Sequence, residues 1–132
     1  MNKIKDYIPK SCELGGVEFT TVFIKNLENS SNLGESSVFD CRIKLQELSY
    51  GQIVTDKQNQ NTYFHEIIHM MLDQIGELEL SKNEKFVQNM GNMLFEFLRT
   101  AEWIPIKNLK SNMNSDENNE SQSITTVNSL NE

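Results

Sequence analysis

The residues best suited to chemistry lie in a short stretch, TYFHEIIHMML, between residues 62 and 72. It contains both histidines of the chain, His65 and His69, and Glu66 follows the first of them in an HExxH pattern. On an α-helix, residues four apart lie one turn above each other, so both imidazoles can point at one ion. This pattern is typical of zinc hydrolases, in which the glutamate takes a proton from an activated water. It predicts Zn²⁺ bound by His65 and His69, with Glu66 as the catalytic base.

The position of the two histidines on the predicted helix also favours a metal site. A rotation of about 100° per residue puts His65 and His69 about 40° apart, at the border of the apolar stripe. A solvated pair would lie opposite that stripe, and a purely structural pair would lie inside it. The border is where a half-buried metal site is expected. The alternative is a chance meeting of two helix-face histidines and a solvated glutamate.

A stable zinc site needs at least one more protein ligand, and the chain has no third histidine. The missing ligand is therefore expected to be a carboxylate. We favour Glu84, because it borders the apolar face of the next predicted helix as the histidines do on theirs. Glu84 is also explained without a metal, as the acidic member of a capping box that begins at Ser81. The other candidates are Glu77, Glu79 and Asp73.

A tyrosine hydroxyl could stabilise the oxyanion that forms when water attacks a carbonyl group. Tyr63 lies about 160° from His65 on the predicted helix, so its side chain should point away from the metal. Tyr50, in the segment before the helix, has the better geometry if that segment folds back.

Composition limits the classes of partner. The 132 residues suffice for one domain, and 12 basic against 19 acidic residues give a net charge of −7. This charge disfavours extended contact with nucleic acid or with an anionic membrane. The chain has no apolar run long enough to span a bilayer, and its start, MNKIKDYIPK, does not resemble a signal peptide. We therefore expect a soluble cytoplasmic protein whose substrate or partner is a protein or peptide.

The remaining pattern predicts an α+β fold, with a small antiparallel sheet of three to four strands packed on the HExxH helix and a second long helix. Alternating and β-branched residues predict strands at 10–14, 17–25, 36–39 and 42–45, with Ile43 and Leu45 facing the core. Thr55 and Gln58 predict a capping box for the HExxH helix, which should run from Asp56 to about Ile75.

Residues 77–80 are predicted to form a loop, and the second helix is expected from Lys82 to about Glu102. Its apolar face should consist of Phe86, Val87, Met90, Met93, Leu94, Phe97, Leu98 and Ala101. The predicted domain covers residues 1–107. Residues 108–132 are rich in Asn, Ser and Glu, a composition that predicts a disordered tail.

The combination of YFHEIIHMMLDQIG with LSKNEKFVQNMGNMLFEFL resembles the small zincin-like metallopeptidases of phages and prophages, which are distantly similar to ImmA/IrrE-type metallopeptidases. The resemblance covers roughly residues 10 to 102. It implies a minimal zincin-like fold in a bacterial host cell, with His65 and His69 as zinc ligands, Glu66 as base and Glu84 at an acidic position of the second helix. Gln88 and Gly91 depart from it, since an acidic residue and an alanine are expected there.

Two functions follow from these expectations. The first is a zinc metallopeptidase in which an edge strand of the sheet aligns an extended peptide. The alternative is a non-catalytic zincin-fold binding protein, such as an antirepressor or host-factor inhibitor, that retains a structural metal. A structural α+β domain without a metal is the third hypothesis.

Overall fold

Four strands form one sheet in the computed structural model, which describes residues 7–25 and 32–107. They are β1 (Ser11–Leu14), β2 (Val17–Ile24), β3 (Gly34–Ser37) and β4 (Arg42–Gln46), in the spatial order β1-β2-β4-β3. A small ribbon follows, made of β5 (Leu48–Ser49) and β6 (Gln52–Ile53). The helices are α1 (Asp56–Gln74), α2 (Leu78–Lys82) and α3 (Glu84–Thr100). The predicted combination of a small sheet with helices is confirmed as an α+β fold.

These elements belong to the first of two units into which the chain divides, Met1–Thr100 and Ala101–Glu132. The predicted disordered tail, residues 108–132, lies outside the described residues. Within the described part of the chain, the helices are too short or too polar to cross a membrane.

The sheet is mixed, so the prediction of an antiparallel sheet is wrong in one pairing. β1 pairs with β2, and β3 with β4, in antiparallel hairpins. The two hairpins join through β2 and β4, which run parallel with Thr21 opposite Ile43. Local alternation of residues indicates hairpins, but it does not say which strands of two hairpins become neighbours. This pairing puts β3 at an edge of the sheet, with no further strand beside it among the described residues.

The core lies between one face of the sheet and α1. Ile43 and Leu45 are buried on that face as predicted, because the residues of a strand alternate between its two sides. They pack in a cluster with one residue of β2 and four of α1: Phe19, Tyr63, Phe64, Ile67 and Met70. α1 thus buries one side against the sheet, and its remaining surface is available for polar residues.

Both ends of α1 follow the sequence prediction. The backbone N–H of Gln58 donates to Thr55 Oγ1 at 3.2 Å, and the backbone N–H of Thr55 donates to Gln58 Oε1 at 2.9 Å, which completes the capping box. The helix ends at Gln74, and Gly76 follows with φ of 80°, a left-handed conformation that glycine adopts without strain. The predicted capping box is confirmed, and the helix ends within one residue of the predicted Ile75.

The predicted start of the second long helix is wrong. Residues 77–80 are not a loop, because α2 begins at Leu78 and includes Ser81. α3 begins two residues later than expected, at Glu84, and the residue that caps it is Asn83, whose Oδ1 accepts from the backbone N–H of Phe86 at 3.1 Å. Ser81 is therefore not a cap, and the capping-box explanation of Glu84 no longer applies.

Only part of the predicted apolar face of α3 packs against α1. Val87 and Gly91 are buried there, whereas Met93 and Phe97 are exposed. Phe95 was not in the predicted face, yet its ring stacks on Phe64 with centroids 5.0 Å apart. The apolar arc of α3 is wider than the surface that α1 can cover, so the helical pattern alone does not locate the contact.

Gly91 determines how closely α1 and α3 approach. A Cβ atom at this position would lie 3.1 Å from the backbone oxygen of Phe64 and 3.1 Å from the backbone nitrogen of His65. These are rigid main-chain atoms of α1, so any larger residue would push the helices apart. The small Gly91 therefore lets the two helices come close.

Gly91→Ala is expected to lower the free energy of unfolding by about 1 kcal/mol. The overpacking cost of about 1–3 kcal/mol exceeds the gain in helix propensity of about 1 kcal/mol that alanine brings. Urea unfolding checks this, with Asn89→Ala on the exposed side of α3 as the control, which should be neutral or stabilising. Equal stabilisation by both substitutions would contradict the close approach.

Candidate metal centre

The three predicted metal ligands lie together where α1 meets the start of α3. His65 Nε2 is 3.0 Å from Glu84 Oε2, and His69 Nε2 is 3.3 Å from Glu84 Oε1. The two Nε2 atoms are 3.1 Å apart. The histidines share a face of α1 because they are four residues apart, and Glu84 faces them because it is the first residue of α3. Among the described residues, these three form the group whose potential ligand atoms all lie within 4.8 Å of one another.

The alternative third ligands are less well placed. Glu79 is exposed on α2, and its Oε1 lies 3.4 Å from Lys82 Nζ. Glu77 is exposed just before α2. Asp73 lines the same cavity as the histidines but does not belong to the converging group. Of the four acidic candidates, the structure brings Glu84 to the histidines.

Each histidine contacts a neutral polar side chain through its second ring nitrogen. His65 Nδ1 lies 3.0 Å from Gln88 Oε1, and His69 Nδ1 lies 3.1 Å from Ser81 Oγ. Partners of this kind fix the ring orientation of a metal-binding histidine. Sequence reasoning missed both roles, because it interpreted Ser81 as a helix cap and Gln88 as a departure from a family pattern. The spacing Glu84–Gln88, one helical turn, was the available signal.

Glu66 is buried, with 8% of its surface exposed, between α1 and the edge strand β3. Burial raises the pKa of its carboxyl group above the usual range, because the charged form loses solvation. A hydrogen bond from Ser36 and the nearby rings of His69 and His65 act in the opposite direction. Glu66 therefore lies beside the histidines in a polar setting, with Ser36 of β3 as its hydrogen-bonding partner.

A cavity of about 640 Å³ contains the predicted site. Four carboxylates and no lysine or arginine line it among the described residues: Glu35, Glu66, Asp73 and Glu84. The edge strand β3 and the two residues before it, Asn32 and Leu33, border it on one side, and α1 and α3 supply the rest of the wall. The cavity is open and polar, so a ligand with hydrogen-bonding groups or positive charge suits it better than an apolar one.

Neither tyrosine lies at the site. Tyr63 is buried in the core, where its hydroxyl lies 3.7 Å from Cys12 Sγ and burial raises the pKa of the phenol. This agrees with the expectation that it points away from the metal. Tyr50 is 79% exposed in the turn between β5 and β6, and it does not line the cavity. The segment before α1 therefore does not fold back as an oxyanion role would require.

No protein-family model, curated protein or solved structure matches this chain. The resemblance to ImmA/IrrE-type metallopeptidases therefore depends on the sequence motifs alone. The function of this protein therefore has to be inferred from the arrangement of its residues.

Gly34 is a further residue of the site that sequence reasoning missed. It lies in β3 directly over α1, and a Cβ atom there would be 2.5 Å from Thr62 Cγ2 and 3.4 Å from Glu66 Cγ. A larger residue would lift the edge strand from the helix that carries the HExxH pattern. Ser36, two residues further along β3, would then lose its contact with Glu66.

Gly34→Ala is expected to destabilise the protein by about 1–3 kcal/mol, the usual range for overpacking. Thr62→Ser should restore much of this loss in the double variant, because it removes the Cγ2 methyl group. Urea unfolding of the wild type, both single variants and the double variant measures the coupling. Strictly additive effects would show that the two side chains do not meet.

Proposed function

We propose that this chain is a zinc-dependent metallohydrolase, and specifically a peptidase of the small zincin-like kind that phages and prophages encode. The observation that carries the proposal is the convergence of His65 Nε2, His69 Nε2 and the Glu84 carboxylate at separations of 3.0–3.3 Å. The proposed ligands come from two different helices, so helical spacing alone does not account for their meeting.

The separations fit tetrahedral zinc. Zinc–ligand bonds of about 2.0–2.1 Å leave neighbouring ligand atoms of a tetrahedron about 3.3 Å apart. The three separations in the structure, 3.0, 3.1 and 3.3 Å, are close to this value. Two imidazoles and one carboxylate are also a ligand set of catalytic zinc sites, which keep one position open.

A proton is the competing explanation for the contacts between these three groups. Each Nε2–H could donate to one oxygen of Glu84, at 3.0 and 3.3 Å, but the two protonated nitrogens would then lie 3.1 Å apart with nothing to attract them to each other. A cation at the centre attracts the two nitrogen lone pairs and the carboxylate at the same time. The three-way contact therefore supports a metal better than a hydrogen-bonded triad.

In the proposed reaction each residue has a separate task. His65, His69 and Glu84 hold the metal, which when bound would lower the pKa of a coordinated water to about 7. Glu66 accepts the proton from the attacking water and passes it to the leaving amine. Ser36, through its hydrogen bond, keeps the Glu66 carboxylate at one position beside α1.

The edge strand supports a peptide as the substrate class. The backbone N–H of Gln46 donates to the carbonyl oxygen of Leu33 at 3.0 Å. Because alternate residues of an antiparallel strand face the same neighbour, Gly34 and Ser36 direct their backbone groups to the free side of β3. An extended peptide that paired with this edge would run along the cavity that contains the proposed zinc ligands.

One observation favours the alternative of a non-catalytic binding protein, such as an antirepressor or host-factor inhibitor with a structural metal. Glu66 packs beneath Gly34 and accepts a hydrogen bond from Ser36, so it also anchors the edge strand. In that case β3 would bind a partner that is not cut. The peptidase and the binding protein predict different results when Glu66 is replaced.

Glu66→Gln is expected to lower peptide hydrolysis by about 10²–10⁴-fold, the usual contribution of a general base, while zinc content stays at one ion per chain. The assay uses a mixture of unstructured peptides, mass spectrometry of the products and metal analysis of protein purified without chelator. Glu79→Gln on α2 is the control with the same change of charge. Equal hydrolysis by Glu66→Gln and wild type, or no hydrolysis by either, would contradict the peptidase, and the absence of zinc would contradict any metallohydrolase.

A further inference from the structure

Asp73 is the carboxylate of the cavity that the proposed function leaves without a task. Of the other three acidic residues in the cavity wall, Glu84 is a proposed metal ligand and Glu66 is the proposed base. Glu35 is opposite Lys44 in the pairing of β3 with β4. Its neighbours on both sides in β3 face α1, and residues alternate along a strand, so the side chain of Glu35 belongs to the opposite face of the sheet.

The surroundings of Asp73 give its charge no stabilising contact. The residue is half-buried in the cavity wall, and its carboxylate forms no hydrogen bond or ion pair within the described part of the chain. It also lies in the last turn of α1, where the negative end of the helix dipole disfavours a second negative charge. The fold therefore gains nothing from a carboxylate at this position, whereas a positively charged group that enters the cavity would be attracted to it.

Asp73 lies close enough to the proposed metal ligands to contact a bound substrate. It follows His69 by one turn, about 40° round the axis, so both residues are on the same side of α1. Along the helix axis it is about 9 Å beyond the midpoint of His65 and His69. This distance equals about three residues of an extended peptide. A long basic side chain within three residues of the cleaved bond can therefore reach it.

The other end of the cavity has a different character. Gln58 and Asn61, which precede His65 by one to two turns of α1, are neutral amides, and so is Asn32 just before β3. Negative charge without a task is therefore found beyond His69 and not before His65. A basic side chain should be preferred on one side of the cleaved bond only.

We propose that Asp73 is a specificity-determining residue that binds a lysine or arginine of the substrate, within three residues of the cleaved bond and on one side of it. The substrate class is then an extended peptide with a basic residue near the cleavage site. Because the bound molecule is a peptide, this proposal rests on the proposed function.

The first test is the cleavage of a mixture of short peptides with randomised sequences, analysed by mass spectrometry. Wild type should cleave peptides with a basic residue on one side of the bond, with kcat/KM about tenfold above that of the same peptides with glutamine, as for one half-screened ion pair. Asp73→Asn should lower this ratio to about one, Asp73→Glu should keep it, and Asp73→Lys should replace it by a preference for glutamate. Glu79→Gln on α2 is the control with the same loss of charge, and it should keep the ratio.

Two results of this test would overturn the proposal. One is an equal ratio in Asp73→Asn and wild type, or a basic preference on both sides of the bond. The other is a loss of zinc from Asp73→Asn, which would show that the residue acts through the metal. The variant should fold, because asparagine keeps the shape of the side chain and removes a charge that the helix end disfavours.

The second test measures binding without cleavage, by fluorescence anisotropy. The probes are a short labelled peptide of serine, threonine and valine with one central arginine, and the same peptide with glutamine in its place. Glu66→Gln, which keeps the peptide intact, should bind the arginine peptide about tenfold more tightly than the glutamine peptide. Asp73→Asn in the same background should bind both equally. A difference that persists in the double variant would contradict the role of Asp73.

The outcomes separate this proposal from the proposed function. If no peptide is cleaved but the arginine peptide binds more tightly and Asp73→Asn removes the difference, the peptidase fails and the basic subsite stands. If peptides are cleaved without a basic preference, the basic subsite fails and the peptidase stands.

Discussion

The rest of the structure depends on the close approach of α1 and α3 at Gly91. The backbone of α1 at Phe64 and His65 occupies the space that a Cβ atom of residue 91 would need. His65 is part of this contact, and Glu84 begins the same helix as Gly91, so the contact sets the separation between the histidines and the carboxylate. Metal sites tolerate deviations of about 0.2 Å in ligand distances. The packing of the two helices would therefore also determine the geometry of the proposed metal site.

Polar residues surround this contact, and each has a polar neighbour. α1 buries one side in the core and turns His65, Glu66 and His69 towards the cavity between β3 and α3. Each has a polar neighbour: Gln88 for His65, Ser36 for Glu66 and Ser81 for His69. Buried polar groups are tolerated when they have partners, and here the partners come from three different elements. The arrangement joins the sheet, the short α2 and the long α3 at one place.

The parts of this arrangement that could be predicted are those that local sequence determines. The HExxH spacing placed both histidines on one face, Thr55 and Gln58 marked the start of α1, and alternation identified Ile43 and Leu45 as core residues. Glu84 was chosen from four acidic residues because of its position on the helical wheel. Each of these inferences needs only the periodicity of one helix or strand.

The predictions that proved wrong concern contacts between different helices and strands. Ser81 matches a capping pattern, but its hydroxyl contacts His69, twelve residues earlier, and Asn83 caps α3 instead. The parallel pairing of β2 with β4 depends on how two hairpins meet, and the packed side of α3 depends on Gly91. Gly34 has no local signature, and the helical spacing of Gln88 from Glu84 does not say that Gln88 contacts His65, because the residues they contact, Thr62 and His65, lie on another element. Such contacts depend on the assembled fold.

The most direct measurement of the central claim is the zinc affinity of wild type, Glu84→Gln and Glu79→Gln, determined by competition with a chelator. The wild type should bind one zinc ion per chain. Glu84→Gln should weaken binding by more than about 100-fold, since loss of a ligand exceeds the usual loss from its supporting contacts, and Glu79→Gln should leave it unchanged. Zinc binding that is equally strong in Glu84→Gln, or absent from the wild type, would contradict the proposed metal centre.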